Sequence, residues 1–207
     1  VTDLLACLDH LVQAGVTRAG AIAGHAASSG CLTLAAAANT RPELFAALVL
    51  EAPFVDWVAG AGGQTAAGAP LVGQHVLTAH EADEWGNPWQ QDAAAQLIAS
   101  MCPYTNLCPG ARFPAVLVTA GLQDARVPHW MGLKFVAKLR SLQAGGAACA
   151  GAASADAPGS TARPALLQFS EEAGHFSMGV SGCSLEDVAV QQAFLLQHMP
   201  RTPVGCH

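Results

Sequence analysis

Three residues far apart in the chain have side chains that together could run acyl transfer: Ser28, Asp124 and His175. A serine hydroxyl is a weak nucleophile until an imidazole takes its proton. The imidazole does so best when a carboxylate fixes its tautomer and stabilises its positive charge. Ser28 lies in Ala26-Ala27-Ser28-Ser29-Gly30, between a strand-like apolar run and a helix-like run. That is the setting of a nucleophile elbow, a sharp turn that exposes the hydroxyl. The turn crowds the residues two before and two after the nucleophile, so both must be small, and Ala26 and Gly30 are. Ser29 as nucleophile would be flanked by Ala27 and Cys31, whose side chain crowds the turn more. With Ser28 as nucleophile, the Ser29 N–H is the expected oxyanion donor, worth about 3 kcal/mol of transition-state stabilisation. A second donor is not identified.

Each residue also has a plainer reading. Either serine could cap the following helix, Asp124 could be a turn residue, and His175 a solvated loop histidine. Their order argues for chemistry. Asp124 follows an apolar run through Gly121-Leu122-Gln123, and His175 follows another through Glu171-Glu172-Ala173-Gly174. Nucleophile, acid and base thus come in the sequence order used by α/β-hydrolases. All three are expected just beyond the carboxyl ends of parallel strands, where open α/β sheets place their sites.

The elements that must position them follow from periodicity. Leu4, Leu5, Leu8, Leu11 and Val12 recur at helical spacing and stop at Gly15, which predicts an amphipathic helix with a left-handed cap. Strands are expected over 21–26, 46–52, 115–120 and 165–170, and helices over 31–39, 131–142 and 187–198. Such alternation predicts one mostly parallel sheet with helices on both faces. In the 131–142 helix, Met131, Phe135, Leu139 and Leu142 share a stripe, while Lys134, Lys138 and Arg140 are expected to reach solvent. Residues 59–73, rich in Gly and Ala, are expected to form a mobile loop. The Ala/Gly/Ser/Pro stretch 144–163 is expected to be a disordered insertion.

With 207 residues, 52% of them hydrophobic, the chain can bury one sizeable core, so residues 1–207 are expected to form one unit. A net charge of -6 and only 12% charged residues remove electrostatic support for binding nucleic acid and suit a cationic substrate. Polar residues and glycine interrupt every apolar stretch before bilayer-spanning length. The seven cysteines form no C-x-x-C pair, which points to buried thiols in a reduced, cytoplasmic compartment. The histidines show no H-E-x-x-H spacing, so neither a metal nor any other cofactor is expected. Chemistry for His10, His25, His75 and His80 is not assigned. Val1 stands where an initiator Met would, and a helix starts almost at once, so the chain is expected to be a fragment.

Several longer strings carry a family resemblance: Arg41-Pro42-Glu43-Leu44-Phe45, Pro53-Phe54-Val55-Asp56, Glu84-Trp85-Gly86-Asn87-Pro88, Pro103-Tyr104-Thr105-Asn106 and Gly121-Leu122-Gln123-Asp124-Ala125-Arg126-Val127. In order and spacing they resemble the oligopeptidase B type of the prolyl oligopeptidase family, from about residue 1 to 196 apart from 144–163. The resemblance implies an α/β-hydrolase fold, incomplete at its amino-terminal side, and a serine peptidase with Ser28, Asp124 and His175 as its triad. It further implies that Arg126 holds a substrate backbone carbonyl and that Glu81 and Asp83 bind the Arg or Lys preceding the scissile bond, a role suited to paired carboxylates. Without the family, Glu81 and Asp83 read as a solvated acidic loop and Arg126 as half of a surface ion pair.

By the same resemblance, the partners are short peptides with basic residues, together with an upstream propeller and upstream hydrolase strands of the same protein. The propeller would limit substrate length, and the upstream strands would carry a tyrosine completing the oxyanion hole. The usual Gly-x-Ser-Ala-Gly-Gly is Ala26-Ala27-Ser28-Ser29-Gly30-Cys31 here, and His175 is followed by Phe176 rather than a small residue. An esterase using the same triad and a degenerate binding or scaffold domain are the competing readings.

Overall fold

The computed structural model describes residues 1–60, 86, 92–109, 112–148, 163–176 and 184–200. Its framework is a four-stranded parallel sheet in the order β1 (Ile22–Ala27), β2 (Phe45–Glu51), β3 (Ala115–Gly121) and β4 (Ala165–Ser170). Expected and observed strand limits differ by a residue at most ends. β2 and β3 are buried along their whole length, which accounts for their mostly apolar runs, interrupted by Glu51 at the end of β2 and Thr119 within β3. β1 and β4 are the edges and are only partly buried.

Alternate residues of the central strands face opposite layers. Leu48, Leu50, Val116 and Val118 join the core made with α2 (Gly30–Thr40) and α5 (Trp130–Ala148). Ala47, Val49, Ala115 and Leu117 instead meet Phe194 of α6 (Leu185–His198). Helices therefore cover both faces, as the strand–helix alternation predicts. α1 (Thr2–Gln13) packs on the α2 side through Leu8, and it ends as expected at a left-handed residue, Gly15, with φ +71°. There the Val16 N–H donates to the Leu11 carbonyl at 3.0 Å and the Gly15 N–H to Val12 at 3.1 Å, the paired bonds of a Schellman motif.

α5 buries Met131, Phe135 and Leu139, the expected stripe. Its cations do more than reach solvent. Lys134 pairs with the buried Asp56, Lys138 Nζ donates to the Tyr104 carbonyl at 2.6 Å, and Arg140 Nε donates to the Ala165 carbonyl at 2.8 Å. These bonds tie the helix to the loop after β2, to the turn after residues 92–101 and to the start of β4. α5 also runs on to Ala148, into the segment expected to be irregular; alanines and Gln143 sustain helix where large anchors are missing. The rest of that segment, 149–162, and most of the expected loop at 59–73 lie outside the described residues.

Among the described residues, three elements are not expected from the sequence: a 3-10 turn at Pro42–Leu44, the short α3 (Trp57–Gly60), and α4 (Asp92–Met101). α4 contributes Ile98 to a small core with Leu32, Trp57 and Cys102, and Ala94, Ile98 and Met101 form its short apolar stripe. α6 begins before the expected Asp187. Ser184 Oγ accepts the Asp187 N–H at 3.1 Å and the Asp187 carboxylate takes the Ser184 N–H at 3.2 Å, a capping box that starts the helix at Leu185. Of the described cysteines Cys31 and Cys102 are buried, but Cys7 and Cys108 are exposed, against the expectation of buried thiols. Among the described residues, no helix is long and apolar enough to cross a membrane.

Candidate active site

Ser28 directly follows β1 and adopts φ +54°, a left-handed conformation that serine takes only when its surroundings enforce it. The enforcement is visible in hydrogen bonds. The Ser28 N–H donates to the Glu51 carbonyl at 2.8 Å, and the Ser28 carbonyl accepts the Cys31 and Phe54 N–H groups, each at 3.1 Å. The turn is thereby fastened to the end of β2 on one side and to the first turn of α2 on the other. A methyl group placed on Gly30 would stand 3.7 Å from the Ala26 Cβ, so the two flanks do face each other and nothing much larger fits. Ser29 occupies the N-cap position of α2, yet its side chain makes no capping hydrogen bond. Its backbone N–H lies where a helix leaves its first amides without intrahelical acceptors, the arrangement suited to a developing negative charge.

Asp124 and His175 meet. His175 Nδ1 and Asp124 Oδ2 are 2.8 Å apart, with the two side chains 10% and 2% exposed. The other carboxylate oxygen, Oδ1, accepts the backbone N–H groups of Arg126 and Val127, each at 2.8 Å. So anchored, the carboxylate can hold His175 as the Nδ1–H tautomer and leave Nε2 as the proton acceptor.

The loops that carry this pair are interlocked. Leu122 N–H donates to the Ser170 carbonyl at 2.9 Å and Gln123 N–H to the Ala173 carbonyl at 3.0 Å. Ser170 Oγ accepts the Ala173 N–H at 3.1 Å, which turns the chain toward His175. A Cβ on Gly121 would fall 2.1 Å from the Ala173 carbonyl oxygen, so only glycine allows the two loops to close. Sequence reasoning treats Gly121 as part of a string and passes over Ser170. The signal for Gly121 is its position at the end of an apolar strand, just ahead of the acid.

Arg126 is exposed, and among the described residues it makes no ion pair. Its guanidinium lies over the Phe176 ring at 5.4 Å, and that ring stands edge-on to His175 with centroids 5.3 Å apart. Phe176 thus links Arg126 to the imidazole. Glu81 and Asp83 lie outside the described residues.

The model for the prolyl oligopeptidase family matches residues 1–202. The chain belongs to that family. Among curated relatives, a prolyl endopeptidase-like protein of Xenopus laevis is 38% identical over 138 residues, which is 67% of this chain and 18% of the relative. Protease 2 of Moraxella lacunata is 28% identical over 198 residues, 96% of this chain and 25% of that protein. Among solved structures, oligopeptidase B from Trypanosoma brucei with covalently bound antipain superposes with a TM-score of 0.73 at 31% identity. That match covers 95% of this chain and 24% of the solved one. The chain therefore spans about a quarter or less of the length of these relatives. The parallel sheet with helices on both faces is the α/β-hydrolase arrangement that the resemblance implies.

Proposed function

We propose that this prolyl oligopeptidase family chain is the site-bearing part of a serine peptidase that cleaves short peptides after Arg or Lys. Ser28 attacks the carbonyl, His175 takes its proton and returns it to the leaving amine, and Asp124 stabilises the imidazolium; water then releases the acyl group. The observation that carries the reading is the bond of His175 Nδ1 to a carboxylate already held by two backbone amides, at the same rim as a serine forced into a left-handed turn. One strand, β2, separates the strands that lead to Ser28 and Asp124. Their ends are therefore about 10 Å apart, a distance that an imidazole spans when it makes two hydrogen bonds, of which the one to Asp124 is formed here and the one to Ser28 is proposed for the reacting state.

Arg126 is proposed to hold a substrate backbone carbonyl, for which its guanidinium, exposed and without an ion pair among the described residues, is available. Preference for a basic residue is assigned to Glu81 and Asp83, on the strength of the resemblance and of the acidic net charge of -6. An upstream propeller of the same protein would restrict substrate length, and a reduced, cytoplasmic setting fits the free thiols.

The test uses the natural full-length protein. Ser28→Ala is expected to abolish both turnover of Arg/Lys peptides and labelling by a fluorophosphonate, a loss on the order of 10^4-fold or more. Glu81→Ala with Asp83→Ala is expected to raise KM for Arg-containing peptides and leave small acyl esters unaffected. Unchanged hydrolysis in the serine variant rejects the triad. Good turnover of esters without turnover of basic peptides makes the protein an esterase instead.

A further inference from the structure

The nucleophile turn leans on a residue outside the proposed triad. Glu51 ends β2, its side chain is 1% exposed, and its backbone carbonyl is the acceptor of the Ser28 N–H at 2.8 Å. The same carbonyl takes the Cys31 thiol at 3.6 Å. The carboxylate of Glu51 is engaged by His25 Nε2, from three residues before Ser28 on β1. In the parallel register His25 pairs with Val49 and Ala27 with Glu51, so imidazole and carboxylate lie on one face of the sheet and meet diagonally. A carboxylate removed from water must be compensated by charge or hydrogen bonds. His25, 34% exposed, keeps access to solvent and can gain or lose its proton.

We infer that His25 is a positioning residue for Ser28: as an imidazolium it clamps the buried Glu51 side chain, and through the Glu51 carbonyl it holds the Ser28 turn in its left-handed conformation. The inference rests on the assignment of Ser28 as nucleophile. Around the pair, β3 sets the neutral Thr119 in register beside Glu51 and α2 sets the Cys31 thiol against its carbonyl. α6 contributes Asp187, whose carboxylate is taken up by Gln168 and Ser184. Among the described residues, the charge paired with His25 is that of Glu51. The hydrogen bond to Glu51 holds the imidazole above its ordinary value of 6.5, outweighing burial, which acts the other way. A group whose folded pKa is raised contributes stability that is fully present below its unfolded value and is lost as pH climbs through the folded one. The clamp is therefore closed in mild acid and opens on the alkaline side of 6.5.

The experiment compares His25→Ala, His25→Gln and His25→Arg with the parent in the natural full-length protein. It reads exchange of the Ser28 amide, corrected for intrinsic pH dependence, and the rate of fluorophosphonate labelling. At pH 6, His25→Ala is expected to speed Ser28 exchange and slow labelling by about 10-fold each, the loss of one charge-assisted bond, with the Val118 amide in β3 unchanged. His25→Arg, a permanent cation, is expected to restore protection and remove the decline that the parent shows as pH rises. His25→Gln is expected to fall between them. Parent-like exchange in His25→Ala, or a parent-like pH profile in His25→Arg, overturns the clamp. Should His25→Ala not fold, the Arg and Gln profiles decide. If exchange responds as expected but the parent protein takes no label, the nucleophile assignment fails and the clamp stands. If labelling needs Ser28 and exchange ignores His25, the clamp alone fails.

Discussion

The two halves of the candidate site are built differently. The acid and base sit on loops after β3 and β4 that hydrogen-bond to each other, and both carboxylate oxygens of Asp124 are engaged, one by two amides and the other by the imidazole. The nucleophile sits at the end of β1, an edge strand of the described sheet with partial burial, and is held through the end of its neighbour there, β2. One half is fixed by packing between loops. The other is a strained turn held by hydrogen bonds to the end of β2 and the start of α2, with Ser28 at φ +54° and, just past β2, Ala52 at φ +42°. The lesson is that the orientation of the base can be secured entirely within β3–β4, whereas the nucleophile turn depends on what surrounds one exposed edge.

If that division is right, the largest effect on the secured half comes from changing its chemistry without its shape. Asp124→Asn keeps an acceptor oxygen but lets the amide present a donor to His175, favouring the wrong tautomer. Turnover is expected to fall on the order of 10^4-fold while thermal stability changes little, as measured by kcat and melting on the same sample. A loss of folding instead would mean that the carboxylate is structural first. Next is Gly121→Ala, whose new methyl would lie 2.1 Å from the Ala173 carbonyl oxygen. The loops must part, with an expected destabilisation of about 2–3 kcal/mol in urea melts and a drop in kcat of about 100-fold. Parent-like stability would show that the β3–β4 loops are not the rigid half.

Much of this was legible in the residues themselves. Apolar runs bounded by loops mark all four strands, and the two that are buried on both faces admit few polar residues, Glu51 and Thr119 among them. The meeting of Asp124 and His175 followed from topology, since both lie past the carboxyl ends of adjacent parallel strands. What was not legible depends on the third dimension. α4 carries only a short stripe, Ala94, Ile98 and Met101, led by an alanine and easily passed over. The His25–Glu51 contact joins residues in neighbouring strands whose register no sequence pattern specifies. The length of α5 also escaped, since Ala and Gly carry no periodicity to mark where a helix ends.

The smallest expected effect falls on the nucleophile half, at Cys31. This thiol fills the place where the resembling elbow carries a second glycine, and it is fully buried, donating to the Ala26 carbonyl at 3.2 Å and to Glu51 at 3.6 Å. Burial pushes its pKa far up, so at neutral pH the reactive thiolate is not available. Thiol reagents are therefore expected to modify the exposed Cys7 and Cys108 in the folded protein while Cys31 is spared and activity is kept, as peptide mapping would report. Cys31→Ala removes a weak donor and one buried sulfur, for an expected cost of about 1 kcal/mol in stability and less than about threefold in turnover. A much larger loss of turnover at constant stability would show that the thiol, rather than the Glu51 carbonyl it touches, sets the geometry of the Ser28 turn, and the edge-strand half would then need a different account.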